Sequence, residues 1–245
     1  MTFNQDIEFM LSKFSHEIRN PLTTLYSTVQ LIEMKHPEVK EFNHWSSLTY
    51  DIEYMNQLLD ELSNFAKSER LNPETFDFRS FLEHLSLSFA ASIAQSEVEY
   101  TSKIDSSITQ ITGDKTKLQE VFFNLLKNAF DAAKPHGTIY LNAALENDNV
   151  VITVQDTGCG ISEEQLPTIF DPFVTYKKQG TGLGLAICDH IVKAHGGTIG
   201  VESTLGVGTT FRVTWKTKYK GHEKSANEAS DVGKIVHSFA CKSVV

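Results

Sequence analysis

Phe14-Ser15-His16-Glu17-Ile18-Arg19-Asn20-Pro21-Leu22-Thr23 sets a histidine beside a carboxylate, with a proline a helical turn further on. Apolar residues recur around it at Ile7, Leu11, Phe14, Ile18, Leu22, Leu25, Val29 and Ile32. Steps of three and four of this kind mark one face of an amphipathic helix. At ~100° per residue, His16 falls ~160–200° from Phe14 and Ile18, so the pattern points it away from the apolar stripe. An imidazole held in solvent on a helix is a reachable nucleophile, neutral for much of the time near pH 7. Pro21 has no backbone donor and is expected to kink the helix just beyond the histidine.

Working outward, a second helix carries Trp45, Leu48, Ile52, Met55, Leu59, Leu62 and Ala66, an alternation of three and four that forms a heptad seam. The join between the helices falls near His36-Pro37, because the residue before proline is pushed out of the helical region. A two-helix hairpin cannot enclose a core of its own. Residues 5–68 are therefore expected to form a homodimer whose two hairpins make a four-helix bundle. Packing of the hairpin on the rest of the chain is the alternative.

Leu71-Asn72-Pro73-Glu74 ends the helical region and serves as a linker and hinge. A mixed pattern follows. A short strand is expected at Thr75–Phe78 and a helix at Ser80–Ala94, with strands at Val98–Ile104 and Ile108–Thr112. Asp114 is a candidate N-cap for a helix running to Ala133. Strands Thr138–Leu145 and Val150–Gln155 flank Asn147-Asp148-Asn149, a hairpin turn. A helix from Leu183 to Ala194 and a hairpin of Thr198–Glu202 with Thr209–Trp215 complete the pattern. The fold class is α+β: a two-helix hairpin over 1–70, then an α/β sandwich over 71–218 with helices on one face of a mixed sheet. Residues 219–245 are polar, without periodicity, and are expected to be a disordered tail.

Composition narrows the function. Net charge is −9, from 22 basic and 31 acidic residues with no basic tract, which argues against nucleic-acid binding. Cys159, Cys188 and Cys241 match no metal-ligand spacing and fit a reducing compartment. No apolar run approaches the ~18–20 residues a membrane span needs. The N-terminal stretch does not read as a signal peptide, and no sensing module is expected ahead of residue 5. A cytoplasmic location without a membrane segment is the expectation.

Four segments of the second half carry chemistry. Asn124 and Asn128 share one face of their helix, with Leu125, Leu126, Ala129 and Ala132 on the other. Amide oxygens are hard ligands suited to Mg²⁺. Asp156-Thr157-Gly158-Cys159-Gly160 follows a strand directly, where glycines let backbone approach a ligand. A carboxylate there can accept from the exocyclic amine of adenine, whereas guanine offers a carbonyl, so Asp156 favours ATP. Gly180-Thr181-Gly182-Leu183-Gly184-Leu185 opens a helix whose N–H groups and dipole suit phosphate. No strand runs into it and its spacing is not that of a dinucleotide fold. Between these loops, Phe170–Gln179 is a candidate lid, with Lys177 or Lys178 available to the phosphates.

His16-Glu17-x-x-Asn20-Pro21-Leu22 resembles the phosphoacceptor box of the sensor histidine kinases of two-component signalling. The segments at Asn124–Asn128, Asp156–Gly160, Phe170–Phe173, Gly180–Leu185 and Gly206–Phe211 resemble, in order, the motifs of the GHKL-type ATP-binding domain. The likeness covers about residues 5–217. It implies that His16 is phosphorylated, that Glu17 helps accept its proton, and that Asn20 supports a phosphatase activity. It also implies Mg²⁺ on Asn128, Asn124 near the phosphates, and Asp156 on adenine with Thr209 beside it through water. Gly158, Gly160, Gly180, Gly182 and Gly184 would shape the pocket, together with Thr181 and Leu183. The implied cofactors are ATP and Mg²⁺, and the implied partner is a response regulator receiver domain. Asp131 and Ala132 stand where many members have a basic residue and an aromatic, which leaves more of the phosphate work to Lys177. A serine kinase or mechanical ATPase would not need His16-Glu17. A non-catalytic scaffold would not need Asn128, Asp156 and the glycine loops.

Overall fold

The computed structural model describes residues 3–147, 149–177 and 180–216, with the side chains of 3–12 and of His16 outside that description. The expectations for Ile7, Leu11, the His16 side chain, Asp148, Lys178, Gln179 and the tail over 219–245 therefore lie outside the described residues.

Helix α1 (Phe3–Lys35) continues through Pro21. A 3-10 turn over Pro37–Glu41, with proline at its start, reverses the chain into α2 (Trp45–Ala66). The two helices meet through Leu22, Val29, Ile52 and Leu59, with Tyr26 and Trp45 packed alongside. The Trp45 indole donates to Glu33 Oε1 at 2.7 Å, and Arg19 pairs with Asp60 at 2.7 Å across the same interface. Of the apolar stripe expected on α1, Leu22 and Val29 are buried, whereas Phe14, Ile18, Leu25 and Ile32 remain exposed in the single chain. The physical reason is that one neighbouring helix covers only one of two adjacent heptad stripes.

Strand β1 (Glu74–Asp77) pairs antiparallel with β3 (Gln110–Gly113). Between them lie α3 (Phe78–Ser92) and β2 (Glu99–Ile104). The third helix starts two residues earlier than expected because Asp77 is its cap, accepting from the Ser80 amide. Next come α4 (Lys115–Ala133), β4 (Thr138–Glu146), β5 (Asn149–Asp156), α5 (Gly184–Ala194), β6 (Thr198–Thr204) and β7 (Gly208–Lys216). The larger sheet has the order β2-β4-β5-β7-β6, with β2 and β4 parallel and the other pairs antiparallel.

Asp114 caps α4 as expected, its Oδ1 accepting from the Lys117 amide at 3.0 Å. Helices α3, α4 and α5 cover one face of the sheet. Phe78, Phe122 and Trp215 form an aromatic knot there, with Leu125, Leu126, Ile139, Leu141, Ile152 and Ile187 packed around it. Side-chain alternation decides what faces those helices. On β5 the inward phase is Val150, Ile152, Val154 and then Asp156; on β7 it is Thr209, Phe211, Val213 and Trp215.

Candidate nucleotide site

The inward phase of β5 and β7 places two polar side chains, Asp156 and Thr209, where apolar ones would continue the core. They are cross-strand partners in the β5–β7 ladder, and both are buried, Asp156 with 3% of its surface exposed. The Gly158 amide donates to Asp156 Oδ1 at 2.8 Å. Burial pushes the Asp156 carboxyl above its ordinary value, more than the amides of Gly158 and Thr209 and the Lys177 charge draw it down. A buried carboxylate with spare lone pairs is an acceptor aimed at a ligand donor.

These residues sit at the floor of a cavity of 390 Å³. Its wall on α4 is polar because Asn124, Asn128 and Asp131 lie on the face opposite the buried Val121, Phe122, Leu125, Leu126 and Ala129. Gly160, Gly180, Gly182 and Gly184 line it from the loops, together with Thr181 and Lys177. Two of the glycines are required by backbone geometry. Gly160 and Gly182 have φ of 66° and 73°, and a Cβ on either would run into the backbone of Thr204 or Phe173.

Lys177 reaches from its loop to the polar face of α4. Its ammonium donates to Asn128 Oδ1 at 2.8 Å and to Asp131 Oδ2 at 3.1 Å. The Asn128 amide oxygen thus accepts a cation here, which is the chemistry a magnesium ligand needs. Among the described residues no cluster of three or more His, Cys, Asp or Glu side chains could hold a metal without substrate. A single amide oxygen suits an ion that arrives bound to phosphate.

Gly158 and Leu183 do not line the cavity. Gly158 instead orients Asp156, and Leu183 is fully buried with its amide bonded to Thr181 Oγ1 at 3.3 Å. His16, Glu17 and Asn20 are on α1, and neither Glu17 nor Asn20 lines the cavity. Glu17 and Asn20 are exposed, and Lys13 lies 3.9 Å from the Glu17 carboxylate. Two cavity residues come from α2 and were not anticipated: Gln57 and Glu61. Gln57 Nε2 donates to Glu61 Oε1 at 2.8 Å, and the Thr181 hydroxyl donates to Glu61 Oε2. No local signal in α2 marks them, since Gln and Glu one turn apart describe any solvated helix face.

Two family models match the chain. One, described as a His Kinase A (phospho-acceptor) domain, matches residues 7–71. The other, described as a histidine kinase-, DNA gyrase B- and HSP90-like ATPase, matches residues 113–219. The sensor histidine kinase ZraS of Escherichia coli (strain K12) is 34% identical over 80% of this chain and 43% of its own length. Sporulation kinase C of Bacillus subtilis (strain 168) is 32% identical over 83% of this chain and 47% of its own. The chain thus spans less than half the length of these relatives. Full-length ShkA, solved in complex with AMPPNP, superposes with a TM-score of 0.70 at 24% identity. That match covers 85% of this chain and 46% of ShkA.

Proposed function

From a chain that belongs to the sensor histidine kinases, carrying their phosphoacceptor and ATPase modules, we propose an ATP-dependent kinase that phosphorylates its own His16. The phosphoryl group would then pass to an aspartate on a response regulator receiver domain. The observation that carries this reading is the buried Asp156 carboxylate at the floor of the 390 Å³ cavity, on the same chain as the His16 box. An acceptor there fits the adenine amine, and Thr209 beside it can hold a bridging water.

The helix start at Gly184 and the preceding loop would take the phosphates through backbone N–H groups. Asn128 would hold Mg²⁺ through Oδ1, where the ion supplies charge neutralisation for the phosphates. Lys177 would leave Asn128 and follow the γ-phosphate, and Asn124 lies one turn away to complete the wall. The His16 imidazole attacks the γ-phosphorus in line, an N–P bond forms, the bond to the β-γ bridging oxygen breaks, and ADP leaves. Glu17 accepts the imidazole proton. Positioning and electrostatics, with little covalent help, drive such transfers.

Homodimerisation through residues 5–68 would set two such hairpins side by side. Asn20, exposed one turn beyond His16, can both donate to and accept from a water. It would orient that water toward a phosphoaspartate docked on α1, giving a phosphatase activity. The domain division at about residue 70 follows from the linker at Leu71–Glu74.

The test is labelling by γ-labelled ATP. The product should be stable in base and lost in acid, as a phosphoramidate is, and absent in His16→Gln. Undiminished acid-labile labelling in that variant would remove His16 from the mechanism.

A further inference from the structure

Two of the charged side chains lining the cavity stand where ligand groups are expected. At the glycine loop, where phosphate is expected, the Glu61 carboxylate takes the Thr181 hydroxyl. At Asn128, where a cation is expected, the Lys177 ammonium takes the amide oxygen. An anion and a cation thus stand at the two polar ends of the cavity.

Glu61 reaches the loop because α2 packs on α5. The Phe65 ring lies 4.8 Å from the His190 ring, and Ser68 Oγ is 3.2 Å from His190 Nδ1. Glu69 approaches the same imidazole at 3.8 Å. Leu62 and Phe65 pack on the core of the second domain beside these polar groups, a contact about two helical turns long, and so short a contact opens more readily than a domain core. Beyond it the linker is anchored again, with the Asn72 amide donating to Asp114 Oδ2 at 2.8 Å. The joint between the two contacts is therefore short, from Ser68 to Asn72.

We propose that α2 is an autoinhibitory latch on the nucleotide site, in which the Glu61 carboxylate occupies the phosphate position until ATP displaces it. The proposal rests on this cavity being the ATP site. A triphosphate and a carboxylate cannot share the Thr181 corner without strong like-charge repulsion in a partly desolvated space. ATP binding and release of α2 from α5 are then one equilibrium. By reciprocity, ATP weakens the α2–α5 contact by the same factor as the contact weakens ATP, so loosening the contact tightens ATP. The latch keeps the two modules closed when no nucleotide is present and frees the swing between them when ATP arrives. Lys177 is its counterpart on the cation side.

The experiment is titration of the full chain with a fluorescent ATP analogue and Mg²⁺, in wild type, Glu61→Gln, Glu61→Ala and His190→Ala. Saturable binding by wild type supports the ATP reading by itself. Both Glu61 variants are expected to bind about 5–20-fold tighter, within the usual range of a coupling between sites. His190→Ala, which touches only the contact outside the cavity, is expected to shift affinity the same way. Amide hydrogen exchange over residues 60–68 should rise when wild type is saturated with the analogue, and should already be high in Glu61→Ala. With wild type binding saturably, Glu61 variants that bind equally or more weakly overturn the latch. So does exchange over residues 60–68 that nucleotide leaves unchanged. No saturable binding in any of the proteins overturns the ATP reading and the latch with it.

Discussion

At the scale of single residues, Asp156 puts a buried carboxylate where the strand pattern would place an apolar side chain, at a cost to the fold. Strand alternation turns it inward with Val150, Ile152 and Val154, and burial raises its carboxyl pKa above the ordinary value. The sign follows from linkage. A carboxyl raised in the folded state binds more protons there than in the unfolded chain. Its contribution to stability is therefore lost as pH climbs from about 3.8 through the raised value, and the charge is unfavourable at neutral pH. Asn at this position keeps an oxygen for the Gly158 amide and removes the buried charge. Asp156→Asn is expected to match or exceed wild type in thermal stability at pH 7. It should bind a fluorescent ATP analogue about 10–150-fold more weakly, the worth of a hydrogen bond to a charged group. Thermal melts and one titration check both. Unchanged affinity would take Asp156 off the adenine, and a large fall in melting temperature would make it a structural carboxylate. This position was legible in sequence because Asp-Thr-Gly follows an alternating strand directly. The place of Glu61 in the cavity was not, because its partner Thr181 lies 120 residues away and leaves no local trace.

At the scale of elements, the boundaries that could be read were those with chemical punctuation. Asp114 announced the start of α4, and His36-Pro37 announced the break after α1. The start of α3 was misplaced because Asp77, its actual cap, also ends β1 and so read as strand. Strand order could not be read at all, since β2 beside β4 depends on a crossover that no local pattern encodes. Asp114 does more than a cap usually does. Its Oδ2 holds the linker at the Asn72 amide, and its own amide donates to His195 Nε2 at 2.9 Å, tying α4 to the end of α5. Burial alone would raise its carboxyl. The Asn72 and Lys117 amides, helped by the Lys117 ammonium, outweigh that and hold it below the ordinary value. A depressed carboxyl adds stability above the unfolded value, and that stability is lost as pH falls through the folded one. Asp114→Ala is expected to cost about 0.5–2 kcal/mol for the cap alone at pH 7. The gap from wild type should narrow in melts taken below about pH 3.8. A gap that stays constant with pH would mean the ionised form gives nothing.

At the scale of the whole molecule, the hairpin carries more apolar surface than one chain can cover. Ser15, Leu22 and Val29 on α1 are buried, as are Ile52, Leu59 and Ala66 on α2, each at seven-residue spacing. Beside them run second stripes at the same spacing, Ile18, Leu25 and Ile32 on α1 and Leu48 and Met55 on α2, and these are exposed. Phe14 is 57% exposed and Leu25 54%, high for large apolar residues on a helix face. Two parallel stripes per helix are what a four-helix bundle requires, and a lone hairpin satisfies only one. The contact with the second domain takes only the C-terminal end of the α2 stripe, Leu62, with Phe65 beside it and Ser68 just beyond the helix, and leaves Leu48 and Met55 exposed. Burying a side chain of this size is worth about 1.5–3 kcal/mol. Six from each chain would outweigh an association cost of about 4–15 kcal/mol. Sedimentation at tens of micromolar, a concentration at which mass action favours such a pair, is therefore expected to show a homodimer. Leu25→Glu and Met55→Glu place charges at the centre of the second stripes and should give monomers. The same variants should keep the wild-type affinity for a fluorescent ATP analogue, since neither side chain lines the cavity. A wild-type monomer would break the bundle. Dimers that survive both substitutions would place the interface on another face of the molecule.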